Sequence, residues 1–427
     1  MRGDGDLVWP DVLTDFVAGT PRPLYEGGRI DGESFLPARW DLLPEGKYMW
    51  GSVQTVRGCP KHCSFCSVWR TDGQKPRQRH VASVIREIVE LRRRGFRFVL
   101  LADDNFYPVT LGDLAAAERQ ARTAAESASG GAGSSDPASS PRLDALRALR
   151  AERFELMARL AELPDDMIFY TQITMEAAED PEFLAAMRRA RIRGALVGVE
   201  SVTPEGLKAV FKNFNDAGDA LVTRLQAFRA HGVHVLGSFI FGLPTDQPST
   251  FDATADLAQR AGVSFAQFVM LTPFPGTVDF AKWEATAAAG VTRKGVPLSR
   301  YWLIPSAQRP KVYSPHPLMS AEQIREGTQY VWDRFYRLAA IWQRSDCVRS
   351  MRSRLAFVLI SKLYRQMYAN TGIATDSARH TRSARRARWL AKAARRLFVT
   401  TPMPGLQAPA ALRERADRKR LAVRVVT

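Results

Sequence analysis

Between residues 49 and 275, short apolar runs alternate with segments whose apolar residues recur every three to four positions. The short runs are typical of buried strands, and the periodic segments are typical of helices that cover a sheet. The predicted strands are Trp50–Val56, Phe96–Ala102, Ile168–Met175, Ala195–Val199, Val233–Phe241 and Phe265–Leu271. Helical patterns are clearest at Val81–Arg94, Leu143–Leu163 and Pro181–Arg191, the last with Asp180 as its expected N-cap.

This alternation predicts an α/β fold with a parallel sheet, because parallel strands need long crossover connections. Six such units with right-handed crossovers form a partial (β/α)6 TIM-like barrel rather than a closed barrel of eight strands. We assign residues 49–280 to this barrel. Residues 124–140 are rich in Gly, Ser and Pro, so we expect a flexible surface insertion there.

The remaining segments differ in composition from the barrel. Residues 1–48 combine a predicted helix at Leu7–Phe16 with a linker rich in Pro and Gly. Residues 281–370 are expected to form a helical extension, and residues 371–427 form a basic tail. Residues 346–427 contain 19 Lys and Arg against 4 Asp and Glu, so most of the net charge of +17 lies there. An acidic partner is therefore expected for the tail alone.

Basic residues between Arg379 and Phe398 alternate with apolar ones such as Trp389 and Leu390. This pattern is typical of a helix on an anionic membrane surface. The phosphates of nucleic acid attract the same basic residues, but nucleic-acid binding is disfavoured because no RRM or KH signature is present. The other alternative is a solvated tail that binds no partner. No apolar run reaches the roughly 20 residues that span a bilayer. We therefore expect a cytoplasmic protein that is peripheral to the inner face of the membrane.

Three cysteines, Cys59, Cys63 and Cys66, follow the first predicted strand with C-x3-C-x2-C spacing. This spacing suits one cubic iron–sulfur cluster, and its fourth iron would lack a protein ligand. Clusters that only carry electrons usually have four cysteines, so a substrate or cofactor is expected on that iron. The alternative is a zinc site completed by His62, although zinc sites usually contain paired C-x2-C spacings. Cys347 is interpreted as an ordinary helix cysteine.

Polar or glycine residues mark the ends of the next four predicted strands, where barrel folds collect their active sites. The third strand's alternation predicts that Gln172, Thr174 and Glu176 share one face. Helix capping by the acidic residues and exposure of the polar face to solvent are the alternatives. The candidates are Asp103, Asp104 and Asn105 after the second strand, Gln172 and Glu176 at the third, Glu200 and Ser201 at the fourth, and Gly237 and Gly242 at the fifth.

Together with the cysteines, the segments D-D-x-F at 103–106, G-x-E-S at 198–201 and P-x-P-G-T at 273–277 resemble the radical SAM superfamily, most closely its cobalamin-binding group. The resemblance implies a 4Fe-4S cluster on the three cysteines and S-adenosylmethionine (SAM) on the fourth iron. It places Phe65 beside the adenine. The other contacts that it implies are Asp103, Asp104 and Asn105 for the amino group, Gln172 and Glu176 for SAM or substrate, Glu200 and Ser201 for the carboxylate and ribose, and Gly237 and Gly242 along the adenine.

Residues 3–9 resemble the end of the cobalamin-binding domain that precedes the barrel in that group. The D-x-H-x-x-G segment whose His ligates cobalt is absent from the sequence. We therefore expect either a chain that starts late or a member that has lost this domain, so cobalamin is a conditional cofactor.

The resemblance implies an oxygen-sensitive enzyme that cleaves SAM reductively and forms a 5′-deoxyadenosyl radical. We expect methylation of an unactivated carbon on a lipid, terpenoid or other secondary metabolite, with flavodoxin or ferredoxin as reductant. The alternatives are radical rearrangement or cyclisation without cobalamin, tRNA modification, and a barrel that serves as a binding module without catalysis. The identity of the substrate is not encoded in any of these motifs.

Overall fold

The computed structural model describes residues 2–44, 48–128, 140–293, 295–305 and 308–371. All six predicted strands form one sheet, with the bounds β1 Gly51–Val53, β2 Phe98–Leu101, β3 Ile168–Ile173, β4 Ile192–Glu200, β5 His234–Phe241 and β6 Phe265–Met270. Each strand pairs in parallel with the next in chain order. Because β1 and β6 lie at opposite edges, the predicted partial barrel is confirmed.

Helices connect and flank the strands, and several of them cover the outer face of the sheet. In chain order they are α1 Trp9–Ala18, α2 Val68–Thr71, α3 Val81–Arg93, α4 Leu111–Ala128, α5 Pro141–Glu162, α6 Pro181–Arg189, α7 Pro204–Ala209, α8 Gly218–Ala230, α9 Pro248–Arg260, α10 Val278–Glu284, α11 Ala287–Gly290, α12 Ala321–Phe335, α13 Leu338–Arg344 and α14 Met351–Thr371. Short 3₁₀ segments occur at Gly32–Ser34, Trp40–Leu42, Met175–Glu179, Leu298–Leu303 and Ser345–Cys347. Asp180 caps α6 as predicted, since its carboxylate accepts the Phe183 N–H at 3.0 Å.

The main core lies between the sheet and these helices. Alternate strand residues point outward into it and are fully or almost fully buried, among them Val99, Phe169, Val197, Phe239 and Phe268. The intervening residues face the barrel interior, where the Gln267 amide donates to Ser238 Oγ at 2.9 Å. Trp332 of α12 donates its indole N–H to the Phe268 carbonyl at 2.8 Å. The C-terminal helices therefore cover the edge strand β6, which protects it from other strands.

The first strand is shorter than predicted, because it ends at Val53 rather than Val56. The backbone N–H groups of Thr55 and Val56 donate to the Asp103 carboxylate, at 2.5 and 2.9 Å. The chain thereby leaves the sheet, and Val56–Arg57 pairs antiparallel with Arg77–Gln78. This two-stranded hairpin carries the three cysteines in its loop.

The N-terminal segment packs against the same hairpin. Its helix begins at Trp9, two residues later than predicted, and a short parallel pair joins Arg2–Gly3 to Glu26–Gly28. Arg57 Nη1 lies 2.8 Å from an Asp4 carboxylate oxygen and 2.9 Å from an Asp6 oxygen. These ion pairs hold the N-terminal segment to the base of the cysteine loop.

Two predicted segments differ from the structure or lie outside it. The expected flexible insertion at 124–140 is helical as far as Ala128, because Ala and Glu at 124–126 favour helix; residues 129–139 are outside the described part.

A further short pair of strands, Thr292–Arg293 with Val296–Pro297, lies in the C-terminal extension. Within the described ranges, no helix has the length and apolarity needed to cross a membrane. The predicted basic helix at 379–398 lies beyond the described residues.

Candidate functional site

The cysteine loop lies at the carboxyl end of the barrel strands. Backbone hydrogen bonds fix its shape, from Cys59 N to the Gly73 carbonyl at 3.0 Å and from Cys66 N to the Cys63 carbonyl at 3.2 Å. All three cysteines are free thiols; Cys63 is buried and the other two are half-buried. Burial raises the pKa of Cys59 and of Cys63 to about 11. Without a metal these side chains are therefore neutral at pH 7.

Three thiols in one loop are the donor set that an iron–sulfur cluster takes. In the part of the chain that the structure describes, no three His, Cys, Asp or Glu side chains converge closely enough to hold a single metal ion. A cubic cluster needs no such convergence, because each cysteine ligates a different iron. His62, the residue that would complete a zinc site in the alternative interpretation, lies near Phe211, with the centres of the two rings 6.3 Å apart. The residues present therefore fit a cluster held by three cysteines.

Asp103 is fully buried below the loop. Besides the two backbone N–H groups that end β1, its carboxylate accepts the Thr55 hydroxyl at 2.6 Å. Arg153 Nη1 donates to that hydroxyl at 2.7 Å and lies 3.9 Å from Asp103 Oδ2. Burial raises the pKa of Asp103, and Arg153 is the main opposing influence. Both Asp103 oxygens thus accept protein hydrogen bonds, and the residue fixes the start of the cysteine loop.

Asp104 is half-buried at the next position and is placed differently. One oxygen accepts the Gly58 N–H at 2.6 Å, next to Cys59. Burial raises the pKa of Asp104 to about 6, against the lowering effect of that hydrogen bond. Of the acidic pair, Asp104 is the residue whose side chain lies beside the cysteines.

Asn105 is buried and connects β2 to β3. Its Oδ1 accepts the N–H groups of Tyr107 and Thr174, at 3.1 and 3.3 Å, and its amide donates to the Tyr107 carbonyl at 2.9 Å. Because the backbone N–H of Thr174 donates to Asn105, it does not pair with a neighbouring strand, and β3 ends at Ile173. Asn105 is therefore occupied in shaping the strand end.

The polar face predicted for the third strand is only partly present. Gln172 lies on β3, whose outer and inner residues alternate, but β3 ends at Ile173 and Glu176 lies in a 3₁₀ turn. The prediction that Gln172, Thr174 and Glu176 share one face of the strand is therefore wrong, because only Gln172 lies on β3. The Glu176 carboxylate pairs with Lys61, a residue of the cysteine loop, at 2.8 Å. Lys61 also lies 4.6 Å from the centre of the Phe214 ring.

Glu200 and Ser201 end β4, and Glu200 has the left-handed backbone φ of +66°. The Glu200 carboxylate accepts a hydrogen bond from Lys212 at 2.8 Å, and both side chains are buried. Sequence reasoning missed Lys212, although a lone Lys between Phe211 and Phe214 is a signal of a buried charge that needs a partner. Ser201 Oγ lies 3.2 Å from Thr203 Oγ1, at the N-cap of α7.

Two of the remaining candidates do not face a common site. A Cβ on Gly237 would meet the Phe239 ring at 2.9 Å and Val199 at 3.8 Å, so this glycine faces the core beneath the helices. Its expected contact along the adenine is not supported by this position. Gly242, with φ +86°, forms the turn after β5, where its N–H donates to Asp246 at 2.8 Å.

Phe65 does lie at the barrel mouth. It packs against a small apolar cluster formed by the ends of β5 and β6 and the loop after α7, namely Val210, Ile240, Leu243, Val269 and Leu271. An apolar surface of this kind suits one face of a planar ring. The structure therefore brings together the cysteines, Phe65, Asp104 and the Glu200–Lys212 pair at one end of the barrel.

Residues 53–258 match the family described as the Radical SAM superfamily. This span begins at the last residue of β1, contains the whole cysteine loop and extends into α9. These residues form a radical SAM domain. The family implies a 4Fe-4S cluster and SAM as cofactors, and radical SAM enzymes use an external reductant.

Two relatives are named as a methyltransferase and a methylase. The chain is 28% identical over 314 residues to an uncharacterized methyltransferase, PH0819, of Pyrococcus horikoshii, covering 67% of this chain and 58% of that protein. It is 26% identical over 257 residues to the hopanoid C-2 methylase of Rhodopseudomonas palustris, covering 58% of this chain and 40% of the methylase. The chain thus spans about half the length of these two relatives.

A solved structure has a similar fold. The cobalamin-dependent SAM radical enzyme OxsB, with aqua-cobalamin bound, superposes with a TM-score of 0.54 at 12% identity, covering 98% of this chain and 64% of OxsB. At this identity the likeness establishes the fold alone.

Proposed function

We propose that this protein is a radical SAM enzyme that methylates an unactivated carbon on a lipid, terpenoid or other secondary metabolite. Cys59, Cys63 and Cys66 would hold the 4Fe-4S cluster. When bound and reduced, this cluster supplies one electron to SAM, which yields methionine and a 5′-deoxyadenosyl radical that abstracts hydrogen from substrate. The barrel residues bind, orient and exclude water.

One observation carries the proposal. Three free cysteines share one loop at the carboxyl end of six parallel strands, and the fitting cluster leaves one iron for a ligand other than protein. Asp104 and the Glu200–Lys212 pair surround that loop with groups that bind an amine and a carboxylate. A zwitterionic amino acid moiety, as in SAM, has both.

The candidate residues divide into those that contact SAM and those that support them. We assign the amino group to Asp104, because Asp103 and Asn105 are saturated by protein hydrogen bonds. Phe65 and the apolar cluster beside it would receive the adenine. Glu200 and Ser201 keep their proposed places near the carboxylate and ribose, and Gln172 faces the barrel interior as a substrate contact.

Methylation of a lipid or terpenoid is supported by the relatives. One relative is named an uncharacterized methyltransferase and another a hopanoid C-2 methylase. Cobalamin stays a conditional cofactor, because the D-x-H-x-x-G segment is absent from these residues, and it is therefore supplied in the methyl-transfer assay. We further propose flavodoxin or ferredoxin as electron donor, and contact of the basic tail with anionic membranes.

The cluster proposal is tested by anaerobic reconstitution with iron and sulfide. We expect about four irons per chain, a 4Fe-4S spectrum, and loss of both when each cysteine in turn is replaced by Ala. A Cys347→Ala variant, which removes the remaining cysteine, is the matched control and should keep the cluster. Retention of a full cluster by Cys63→Ala would rule out the assigned ligand set.

The reaction type needs a different experiment. The reconstituted protein is incubated anaerobically with a chemical reductant, cobalamin, methyl-labelled SAM and a hopanoid-containing lipid extract. Methyl transfer places the label in a solvent-extractable product. Label that stays in methionine while 5′-deoxyadenosine accumulates would favour rearrangement or cyclisation instead.

A further inference from the structure

Lys212 and Glu200 form a buried ion pair beside the cysteine loop. The two side chains are each 7% exposed, and Nζ donates to Glu200 Oε1 at 2.8 Å. The loop after α7, which carries Lys212, is joined to the cysteine loop by a hydrogen bond of 3.1 Å from Ser64 N to the Val210 carbonyl. The pair therefore lies within electrostatic range of the sulfur atoms.

Several features of β4 accommodate this pair. The strand has an irregular register between Gly198 and Glu200, and Glu200 adopts a φ that non-glycine residues rarely adopt. A Cβ at position 198 would lie 2.2 Å from Glu200 Oε1 and 2.5 Å from Lys212 Nζ. Asn215 donates its amide to the Gly198 carbonyl at 3.0 Å and so fastens the Lys212 loop to the strand.

The cation of the pair is carried by the loop that hydrogen bonds Ser64, between Cys63 and Cys66, whereas Glu200 is carried by the end of β4. Loss of Lys212 therefore removes a positive charge from the surroundings of the cysteine loop. Buried charges interact strongly because little water screens them. Reduction adds one negative charge to a cluster, so a cation held at its edge favours the reduced form.

We propose that Lys212 raises the reduction potential of the cluster bound by Cys59, Cys63 and Cys66, and that Glu200 holds the Lys212 ammonium group in position. This inference rests on the proposed cluster. It assigns Lys212 an electrostatic effect on the cluster in addition to its proposed place beside SAM, and it predicts opposite effects for the two members of the pair.

The test is a redox titration of the reconstituted full chain without SAM, followed by the EPR signal of the reduced cluster. Lys212→Met should disfavour reduction at least tenfold, which is a fall of about 59 mV for one electron. Lys212→Arg keeps the charge and should stay near the wild type. Glu200→Gln removes the opposing charge and should not lower the potential.

Lys208→Met, which removes an exposed lysine four residues away, is the control and should leave the potential unchanged. An unchanged or higher potential in Lys212→Met, or an equal fall in Glu200→Gln, would overturn the inference while the wild-type cluster still supports the proposed function. Absence of a cluster signal in the wild type would overturn both. If Lys212→Met retains no cluster, Lys212→Gln, which can still hydrogen bond Glu200, gives the same comparison.

Discussion

The Lys61 ammonium group lies 2.8 Å from the Glu176 carboxylate, and this pair joins the cysteine loop to the segment that follows β3. Both side chains are largely buried, with exposed fractions of 16% and 14%. Lys61 lies between two of the cysteines in sequence, at C-P-K-H-C. The pair therefore fastens the middle of the loop to the barrel wall.

Replacing Lys61 by Met is expected to loosen the cysteine loop without unfolding the barrel. A hydrogen bond to a charged group contributes about 1.5–3 kcal/mol, and 1.4 kcal/mol corresponds to a factor of ten. The reconstituted variant should release iron to a chelator about tenfold faster than the wild type. Lys75→Met removes an exposed lysine from the same hairpin and should release iron at the wild-type rate; equal rates for all three proteins would contradict this role.

Replacing Asp103 by Ala should destabilise the whole fold. The change leaves the Thr55 and Val56 N–H groups and the Arg153 guanidinium buried without their acceptor. Breaking a buried charge pair costs about 3–5 kcal/mol. Urea unfolding under anaerobic conditions measures this loss, with exposed Asp165→Ala as the control. A loss below about 1 kcal/mol would show that Asp103 is not the structural anchor described above.

Asp103 and Asp104 also show what the sequence could and could not predict. Six strands and their order followed from the lengths of apolar runs, because a parallel sheet buries both faces of each strand. The motifs correctly located polar residues at strand ends. Which of two adjacent carboxylates turns toward the cysteines depends on backbone hydrogen bonds that form only when β1 and β2 meet, so the two could not be told apart from the sequence alone.

The face of the sheet on which Gly237 lies and the contact between Lys212 and Glu200 could not be predicted from the sequence, for related reasons. The face of β5 that Gly237 occupies depends on strand phase, which a glycine without side chain does not reveal. Lys212 follows Glu200 by twelve residues and reaches it through the loop after α7. Contacts across such a loop are set by tertiary packing.

Stability should depend on pH through Asp246. Burial raises the pKa of Asp246 to about 6, despite the backbone N–H groups of Leu243 and Gly242 that donate to it. In the unfolded chain an Asp has a pKa of about 3.9. As pH rises from about 4 to 6, the unfolded state loses its proton first, so the free energy of unfolding falls by about 3 kcal/mol.

Asp246→Asn keeps the accepted hydrogen bonds and removes this titration. Relative to the variant, the wild type should lose unfolding free energy between about pH 4 and 6 and show no further change above that range. Urea midpoints at several pH values measure the difference, and exposed Asp165→Asn should reproduce the wild-type profile. A difference between wild type and Asp246→Asn that does not vary with pH would refute the assignment.

The most direct test of the three-cysteine site is the cleavage of SAM itself. The reconstituted protein is incubated anaerobically with SAM and dithionite, and 5′-deoxyadenosine and methionine are quantified by mass spectrometry. The account predicts that both accumulate in equal amounts, and that Cys59→Ala, Cys63→Ala and Cys66→Ala form neither. A wild-type protein that contains four irons per chain but forms no 5′-deoxyadenosine would contradict the central claim.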